Sequence, residues 1–360
     1  MARPVIHQVL IGASEGDAIT QMALAVRNEL RRFCDSDVYA LWRHGDVMRD
    51  ECRDLNEYPT SESVDLTVYH SSIGWHEMTD FLKRRQEKIA ISYHNITPSE
   101  MYVEFNPDFA ADLDLGRQDL VDLRERTVIA VADSEFNARD LETFGYQDIH
   151  VVPAGFIPSR LEGEPYDFEI LQQMSRRFPN GYVVAVGQIL PHKRIEQLIE
   201  SLHVMNSTYW GNIGLVICGV ARQEMYRVAI SKFHQRCAMV DVHFAGQVTD
   251  QQLSTFIRGA RMYLGMSDHE GLSIPPIEAM SMGVPVVVKG AAAVPETVGE
   301  GALVLPADAG PILAAEAIHE VLNNDQFRWS LIHRGFQRAK ELEARAPSSR
   351  TAELLLAAAQ

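Results

Sequence analysis

The chain has 360 residues, 46% of them hydrophobic, which is enough for two domains that each bury a core. Its net charge of −16 at pH 7 argues against a nucleic acid as partner, because the phosphates would be repelled. No apolar run reaches the roughly 18 residues of a membrane span, and the first residues lack the apolar core of a signal peptide, so we expect a cytoplasmic protein.

The cysteines predict free, buried thiols. No two of them form a C-x-x-C pair, and nothing in their spacing suggests a disulfide framework. They are Cys34, Cys52, Cys218 and Cys237.

The first half of the chain alternates apolar runs with helical patterns. The runs are short and continuous, as in parallel strands that are buried on both faces. The segments between them carry apolar residues at helical spacing with charges opposite. The predicted strands are VIHQVLIGA (5–13), VDLTVYHSS (64–72), KIAISYHN (88–95), TVIAVADS (127–134) and IHVVPAG (149–155).

The alternation is interrupted once and then restarts. Residues 162–181 carry two prolines, two glycines and many charges, which is typical of an inter-domain linker with one short helix. The strands predicted after it are YVVAVGQIL (182–190), GLVICGV (214–220), VDVHFAG (240–246), RMYLGMS (261–267), VPVVVKG (284–290) and GALVLPA (301–307).

Two successive α/β segments predict two facing, doubly wound, Rossmann-like domains. We assign residues 1–165 to the first domain, 166–180 to the linker and 181–335 to the second domain. Residues 336–360 are expected to form helices that pack back on the first domain. Ligands of such sheets bind outside the carboxyl ends of the strands and favour a cleft between domains, so functional residues are expected in turns that follow strands.

The turn SDHEGLSIPPIEAM (267–280) has the features of an anion-binding site. It follows a predicted strand, and Pro275 suits the first position of a helix, because its missing N–H would be unpaired there. The amides just before this point then lie at the positive end of the helix dipole, and glycine permits close approach to a ligand. These are the amides of Gly271, Leu272, Ser273 and Ile274.

Two glutamates flank this turn. Carboxylates would repel a phosphate that they touched, but they are good acceptors for neutral hydroxyls on either side of it. Glu278, on the first turn of the helix, is placed to bridge two ribose hydroxyls, and Glu270 to reach a second sugar. Singly, Glu278 also suits a helix N-terminus and Glu270 an exposed turn; together, with the sequence between them, they predict a nucleotide-sugar site.

The segment HEGLSIPPIEAMSMGVPVVV (269–288) resembles the E-x7-E signature of the retaining glycosyltransferases of family 4, which have the GT-B fold. Glu270 and Glu278 match its glutamates, whereas Leu272 and Ser273 replace the more usual Phe-Gly. The resemblance covers residues 180–323 better than the N-terminal half. It implies transfer of a hexose from a nucleoside-diphosphate sugar to an acceptor hydroxyl, with retention of configuration.

The same resemblance places the donor's diphosphate at VGQILPHKRIEQLIESL (186–202). Family members have a lysine in this turn, which Lys193 matches, and commonly an arginine after the glycine, where this chain has Gln188. That departure removes one cation from the phosphates. Cations at a helix N-terminus are locally unfavourable, so an anionic ligand explains Lys193 and Arg194 better than surface charges do.

The resemblance also assigns residues of the first domain. In ISYHNITP (91–98), His94 matches a histidine beside the transferred sugar and shares the catalytic assignment with Glu270, while Asn95 is assigned to the acceptor side. EGDAITQ (15–21) is similar to the family's glycine-rich first turn, where Gly16 lets the backbone approach the leaving phosphate. Asp17 either meets an acceptor hydroxyl or caps the first helix.

No metal or cofactor is expected. The Asp-x-Asp triplets at 35–37 and 112–114 do not sit clearly at strand ends, and no zinc or P-loop spacing occurs. The resemblance implies that lysine and helix N-termini stabilise the diphosphate instead. The acceptor is expected to be a glycan, a natural product or a lipid-linked molecule. Alternatives are a nucleotide-sugar epimerase or sugar phosphorylase on the same fold, and a non-catalytic nucleotide-sugar-binding protein.

Overall fold

The computed structural model describes residues 3–153, 159–345 and 348–360. Contacts between residues divide this part of the chain into two compact units. Unit 1 contains residues 3–103, 107–153, 344–345 and 348–360, and unit 2 contains residues 104–106 and 159–343.

Unit 1 is built on a parallel sheet, seven strands wide within the described residues, in the order β3-β2-β1-β4-β5-β6-β7. The chain moves outward from β1 in one direction and then, from β4, in the other, so the strand order reverses between β1 and β4. The strands are β1 (Ile6–Ser14), β2 (Val38–His44), β3 (Arg53–Asp54), β4 (Leu66–Ser71), β5 (Lys88–Tyr93), β6 (Thr127–Ala132) and β7 (Ile149–Val151).

Helices cover this sheet, and one of them comes from the far end of the sequence. The helices are α1 (Ala18–Leu30), α2 (Asp46–Glu51), α3 (His76–Arg84), α4 (Pro107–Leu123), α5 (Glu135–Thr143) and, after unit 2, α15 (Ser348–Ala359). Leu355 of α15 is buried in one cluster with Leu30 of α1 and Leu66 of β4. The Lys88 ammonium also donates to the carbonyl of Ala358 over 3.0 Å.

Unit 2 repeats the architecture with a parallel sheet, six strands wide in the described chain, in the order β10-β9-β8-β11-β12-β13. Here the strand order reverses between β8 and β11. The strands are β8 (Tyr182–Val186), β9 (Gly214–Cys218), β10 (Val242–Gly246), β11 (Met262–Gly265), β12 (Val286–Lys289) and β13 (Leu303–Leu305).

The helices of unit 2 pack around a continuous apolar core. Ile199 and Leu202 on one helix meet Ile318 and Val321 on another, and all four side chains are fully buried. The helices are α6 (Ser159–Glu162), α7 (Phe168–Arg177), α8 (Ile195–Tyr209), α9 (Glu224–His234), α10 (Asp250–Gly259), α11 (Ile274–Ser281), α12 (Val294–Val298), α13 (Pro311–Asn323) and α14 (Asp325–Arg345).

Each predicted strand coincides with a strand of one of the two sheets, so the α/β fold class with two Rossmann-like domains is confirmed. The sequence did not predict β2 and β3. β2 begins with a short apolar run, VYALW, that the prediction passed over, and β3 has only two residues. β7 ends at Val151, and residues 154–155 of its predicted run lie outside the described residues.

The contacts divide the chain at other points than the sequence boundaries. Residues 168–177 of the expected linker form α7, which packs on α10 within unit 2. The Asp167 carboxylate accepts from the amides of Glu169 and Ile170 and so begins this helix. The boundary assigned at 335/336 falls inside α14, which continues unbroken to Arg345.

Two further features concern the chain as a whole. Among the described residues, helices long and apolar enough to cross a bilayer do not occur. The four cysteines are free and buried, as expected.

Candidate functional site

In unit 2, the expected donor-binding residues meet where the strand order reverses. Gly187 and Gln188 follow β8, and the turn from Ser267 to Ser273 follows β11, its neighbour in the sheet. This point, outside the carboxyl ends of the two central strands, is where open parallel sheets bind ligands. Residues from both turns, Gly187 and Ser267 among them, line one small cavity of about 20 Å³.

Lys193 and Glu270 form an ion pair at this point. The lysine ammonium donates to the glutamate Oε1 over 2.6 Å, and the two side chains are only 19% and 13% exposed. A Cβ on Gly187 would lie 3.7 Å from the same ammonium, so Lys193 crosses directly over this glycine. The structure therefore brings together a diphosphate residue and a sugar residue of the sequence prediction, as partners of each other.

The ion pair controls the charge of its surroundings. Burial raises the pKa of the Glu270 carboxyl, but the positive charge of Lys193 and its hydrogen bond outweigh burial, and the pKa is lowered overall. Burial, followed by the charge of Lys193, lowers the pKa of the neighbouring His192 to about 3. Glu270 is therefore a carboxylate at neutral pH and His192 a neutral imidazole.

Arg194 is held by carboxylates as well. Its Nε lies 3.0 Å from Asp268 and one terminal nitrogen lies 3.2 Å from Glu196. Asp268 also contacts the buried ammonium of Lys289. Asp268 thus joins two cations, and the turn after β11 is tied both to the end of β12 and to the start of α8.

The turn that carries the expected phosphate amides is fixed through its carbonyls. The Ala293 amide donates to the Glu270 carbonyl over 3.2 Å, and the Thr297 hydroxyl donates to the Leu272 carbonyl. Ser273 has φ +68°, a left-handed conformation that is costly for a residue with a side chain. Arg194 shares this feature with φ +51°, so two expected donor residues are among the strained positions of the described backbone.

Glu278 is buried, with 3% exposure. α11 begins at Ile274, one residue earlier than expected, so Glu278 lies in the second helical turn and not in the first. Burial, followed by the negative charges of Glu270 and Glu278, raises the pKa of the Tyr263 hydroxyl on β11. The two carboxylates of the sequence pattern therefore share one phenol as neighbour.

Gln188 is exposed. It stands at the position where the family that the sequence resembles commonly has an arginine. Its backbone is held by the strand ends, since the Gly187 amide donates to Cys218 and the Ile189 amide to Val220. A much larger cavity, of about 680 Å³, opens at the amino ends of the same strands, beside Gly181 and Arg261. Because ligands of parallel sheets bind at the carboxyl ends, we place the candidate site at the smaller cavity.

In unit 1, Gly16 and Asp17 form the turn after β1. Gly16 has φ +73°, and a Cβ there would meet no atom within 4 Å. The Asp17 carboxylate accepts from both the amide and the hydroxyl of Thr20, over 2.9 and 2.8 Å, and so caps α1. Of the two roles weighed for Asp17, the structure shows the cap; contact with an acceptor stays a prediction.

His94 is enclosed: its side chain is 4% exposed, and both ring nitrogens have partners. Nδ1 lies 2.7 Å from the Asp133 carboxylate, and Nε2 lies 2.8 Å from Nδ1 of His70. Asn95, next in sequence, has φ +74° and donates through its buried side chain to Asn137 over 2.9 Å. The side chain of Asn95 is thus engaged inside unit 1.

Several residues of these two sites escaped the sequence analysis. Asp268 pairs with both Arg194 and Lys289, and Asp133 and His70 contact the ring nitrogens of His94. Asp133 directly follows β6, and Asp268 lies within the turn SDHEGLSIPPIEAM; an acidic residue in a turn after a strand is the signal that was available. His70 gave none, because a histidine in an apolar run is ordinary for a buried strand.

The described residues contain no group of three or more metal-binding side chains. In unit 2, the ammonium groups of Lys193 and Lys289 and the guanidinium of Arg194 supply positive charge near the turn after β11. A chemical role for these groups is to neutralise an anionic ligand.

Comparison with known proteins identifies the region that contains this site. Residues 169–338 match the family described as "Glycosyl transferases group 1". An Escherichia coli protein, "O-antigen chain mannosyltransferase B", is 30% identical over 162 residues, 45% of this chain and 42% of the relative. The "MMP alpha-(1->4)-mannosyltransferase" of Mycolicibacterium hassiacum is 26% identical over 176 residues, 47% of this chain and 38% of the relative. The matches thus span less than half of each relative.

Solved structures share the fold of the whole chain. HepE of Anabaena, in complex with UDP and glucose, has a TM-score of 0.73 with 14% identity, and the match covers 98% of both chains. At this identity the likeness shows the fold alone, which is the GT-B fold.

Proposed function

On the premise that residues 169–338 are a glycosyl transferases group 1 domain within a GT-B fold, we propose that the protein transfers a hexose from a nucleoside-diphosphate sugar to an acceptor hydroxyl. The observation that carries the proposal is the Lys193–Glu270 pair at the reversal of strand order, with the buried Glu278 eight residues on. Mannose is the first hexose to test, because the named relatives are mannosyltransferases.

In the proposed complex, the diphosphate takes the place of Glu270 beside Lys193. Displaced Glu270 then accepts from hydroxyls of the hexose, and Glu278 accepts from the ribose. Arg194 adds positive charge to the leaving group, and the amides before α11 contribute the helix dipole. The proposal needs no metal, because these groups together neutralise the diphosphate.

We propose that the reaction retains configuration. The bond between the anomeric carbon and the phosphate oxygen breaks, and a bond from the acceptor oxygen forms on the same face of the sugar. The acceptor's proton passes to the leaving phosphate, so no protein side chain has to take it. The acceptor is a glycan, a natural product or a lipid-linked molecule, and the protein itself supplies no cofactor.

Calorimetric titration tests the donor site. UDP, GDP and their hexose conjugates are titrated into the protein and into Lys193→Met, with Lys232→Met, an exposed lysine of unit 2, as matched control. We expect one nucleotide to bind the parent and Lys232→Met equally, and Lys193→Met about tenfold to a hundredfold more weakly, as for loss of a charge-assisted hydrogen bond. Equal affinity in all three proteins would remove the diphosphate assignment.

Turnover separates the proposal from its alternatives. A transferase releases nucleoside diphosphate and hydrolyses bound donor slowly without acceptor, whereas an epimerase returns an isomer of the intact donor. A phosphorylase requires inorganic phosphate, and a nucleotide-sugar sensor binds without any release. The products from the best-bound donor, resolved by chromatography, decide between these outcomes.

A further inference from the structure

A chain of polar side chains crosses unit 1 beneath the carboxyl ends of its central strands. It runs from Asp133, after β6, through His94, after β5, and His70 on β4, to Gln8 on β1. The contacts measure 2.7 Å, 2.8 Å and 2.9 Å in that order. Gln8 is fully buried, and the other side chains are nearly so.

The orientation of Gln8 gives this chain a direction. Its side-chain nitrogen donates to the carbonyl of Ala23 over 2.9 Å. A carbonyl can only accept, so the amide cannot be turned around, and its oxygen must face Nε2 of His70. That oxygen also only accepts, so Nε2 of His70 carries a hydrogen.

The same reasoning extends to His94. The two imidazole rings lie within 7° of parallel, and Nδ1 of His70 is 2.8 Å from Nε2 of His94, which fits one in-plane N–H···N bond. The contact between His94 and the Asp133 carboxylate needs another hydrogen. These three contacts therefore need three protons, whereas two neutral imidazoles and a carboxylate hold only two. The Ser92 hydroxyl, 3.4 Å from Nε2 of His94, brings its own hydrogen and can accept as well as donate, so it does not change this count.

We infer that His94 is protonated on Nε2, donates to a neutral His70, and shares a further proton with Asp133 through Nδ1. The position of the extra proton follows from surroundings. Burial lowers the pKa of the His70 imidazole far below its usual value, so His70 does not hold it. Among these four hydrogen-bonded side chains, Asp133 is the carboxylate that balances a positive charge on His94.

This assignment adds a hydrogen on Nε2 to the usual state of a histidine beside a carboxylate, in which Nδ1 donates and Nε2 is bare. It also leaves His94 without a lone pair for a substrate proton. If the proposed function is right, His94 is a fixed donor and positioning residue and not a general base, which agrees with a leaving phosphate that takes the proton. The protonation state itself does not depend on that function.

Two-bond ¹H–¹⁵N correlation spectra of histidine-labelled, ligand-free protein test the inference. We expect these spectra to show a hydrogen on Nε2 of His94, as its contact with Nδ1 of His70 requires. His70 should show a protonated Nε2 and a bare Nδ1. His150, whose side chain is 37% exposed and whose Nε2 lies 3.0 Å from Asp148, serves as the internal reference. A bare Nε2 on His94 would overturn the inference.

Two variants of Gln8 test whether its side-chain oxygen decides which nitrogen of His70 carries the hydrogen. Gln8→Met removes the acceptor oxygen, so we expect His70 to move its hydrogen to Nδ1 and His94 to expose a bare Nε2. Gln8→Glu keeps an oxygen toward His70 and should preserve the parent pattern, which guards against a general effect of substitution at this buried position. An unchanged spectrum in Gln8→Met would overturn the inference, whereas failure of the nucleotide titration would overturn only the proposed function.

Discussion

Replacing Lys193 with methionine should destabilise the protein as well as weaken nucleotide binding. Methionine keeps the length of the side chain but leaves the Glu270 carboxylate without its partner, at 13% exposure. Two unit charges 2.6 Å apart attract by about 6 kcal/mol at an effective dielectric constant of about 20. Much of this offsets desolvation, and breaking a buried pair typically costs about 3–5 kcal/mol.

Because both side chains keep some contact with solvent, we take the lower limit, about 3 kcal/mol. For a unit of this size that corresponds to a fall in Tm of about 6–12 °C. Thermal unfolding by circular dichroism measures it, with Lys232→Met as control. The double variant Lys193→Met, Glu270→Gln should recover much of the lost stability, because it has no unpaired carboxylate at position 270.

The stability lost in Lys193→Met should be smaller at low pH than at high pH. In the parent, the folded pKa of Glu270 is below its ordinary value of 4.5, so the pair stabilises the protein above about pH 4.5 and the contribution is lost as the pH falls further. Without Lys193, burial dominates and the folded pKa rises. The difference in Tm between the parent and Lys193→Met should therefore become smaller as the pH falls from about 8 to about 5. A gap that stays constant, or a Tm equal to that of Lys232→Met, would refute the reasoning.

Three further predictions concern the same unit. In calorimetry, Glu278→Gln should weaken the binding of nucleoside diphosphate and of intact donor alike. Glu270→Gln should tighten the binding of nucleoside diphosphate, because Lys193 loses a competing carboxylate, and should lower turnover, because the sugar is no longer oriented. A similar response of both variants would contradict the separate roles. EDTA should leave turnover intact, and loss of turnover that magnesium or manganese restores would show that a metal takes part. Gly219→Ala should lower the urea midpoint of unit 2 more than Gly246→Ala does, because a Cβ on Gly219 would lie 1.9 Å from the carbonyl oxygen of Gly187. A Cβ on Gly246 meets nothing within 4 Å, so Gly246→Ala costs only about 1–2 kcal/mol for its left-handed φ of +69°. Equal urea midpoints would disprove the contact at Gly219.

The sequence was most informative where a local pattern determines local structure. The runs YVVAV and GLVIC are short, continuous and apolar, as is typical of strands buried on both faces in a parallel sheet, and they are β8 and β9. The double proline near residue 275 predicted the start of α11 to within one residue. The turns that follow β8 and β11 were therefore identified from their order along the chain.

Partners distant in sequence were not predictable in this way. Lys193 and Glu270 are 77 residues apart, and their contact depends on β8 and β11 being neighbours in the sheet. His94 finds Asp133 39 residues later and His70 24 residues earlier. The motifs singled out residues that lie in the turns after strands, but whether a side chain there points to a ligand or to a neighbouring strand depends on the register of the whole sheet.

The position of α15 in unit 1 has a consequence for biosynthesis. Residues 3–153 leave the ribosome first, yet the apolar surface formed by Leu30, Leu66 and their neighbours is covered only when Leu355 arrives, after all of unit 2 has been translated. Each such buried leucine contributes about 1.5–3 kcal/mol. The core of unit 1 can therefore be completed only after unit 2 has been translated, and until then α15 does not cover this apolar surface.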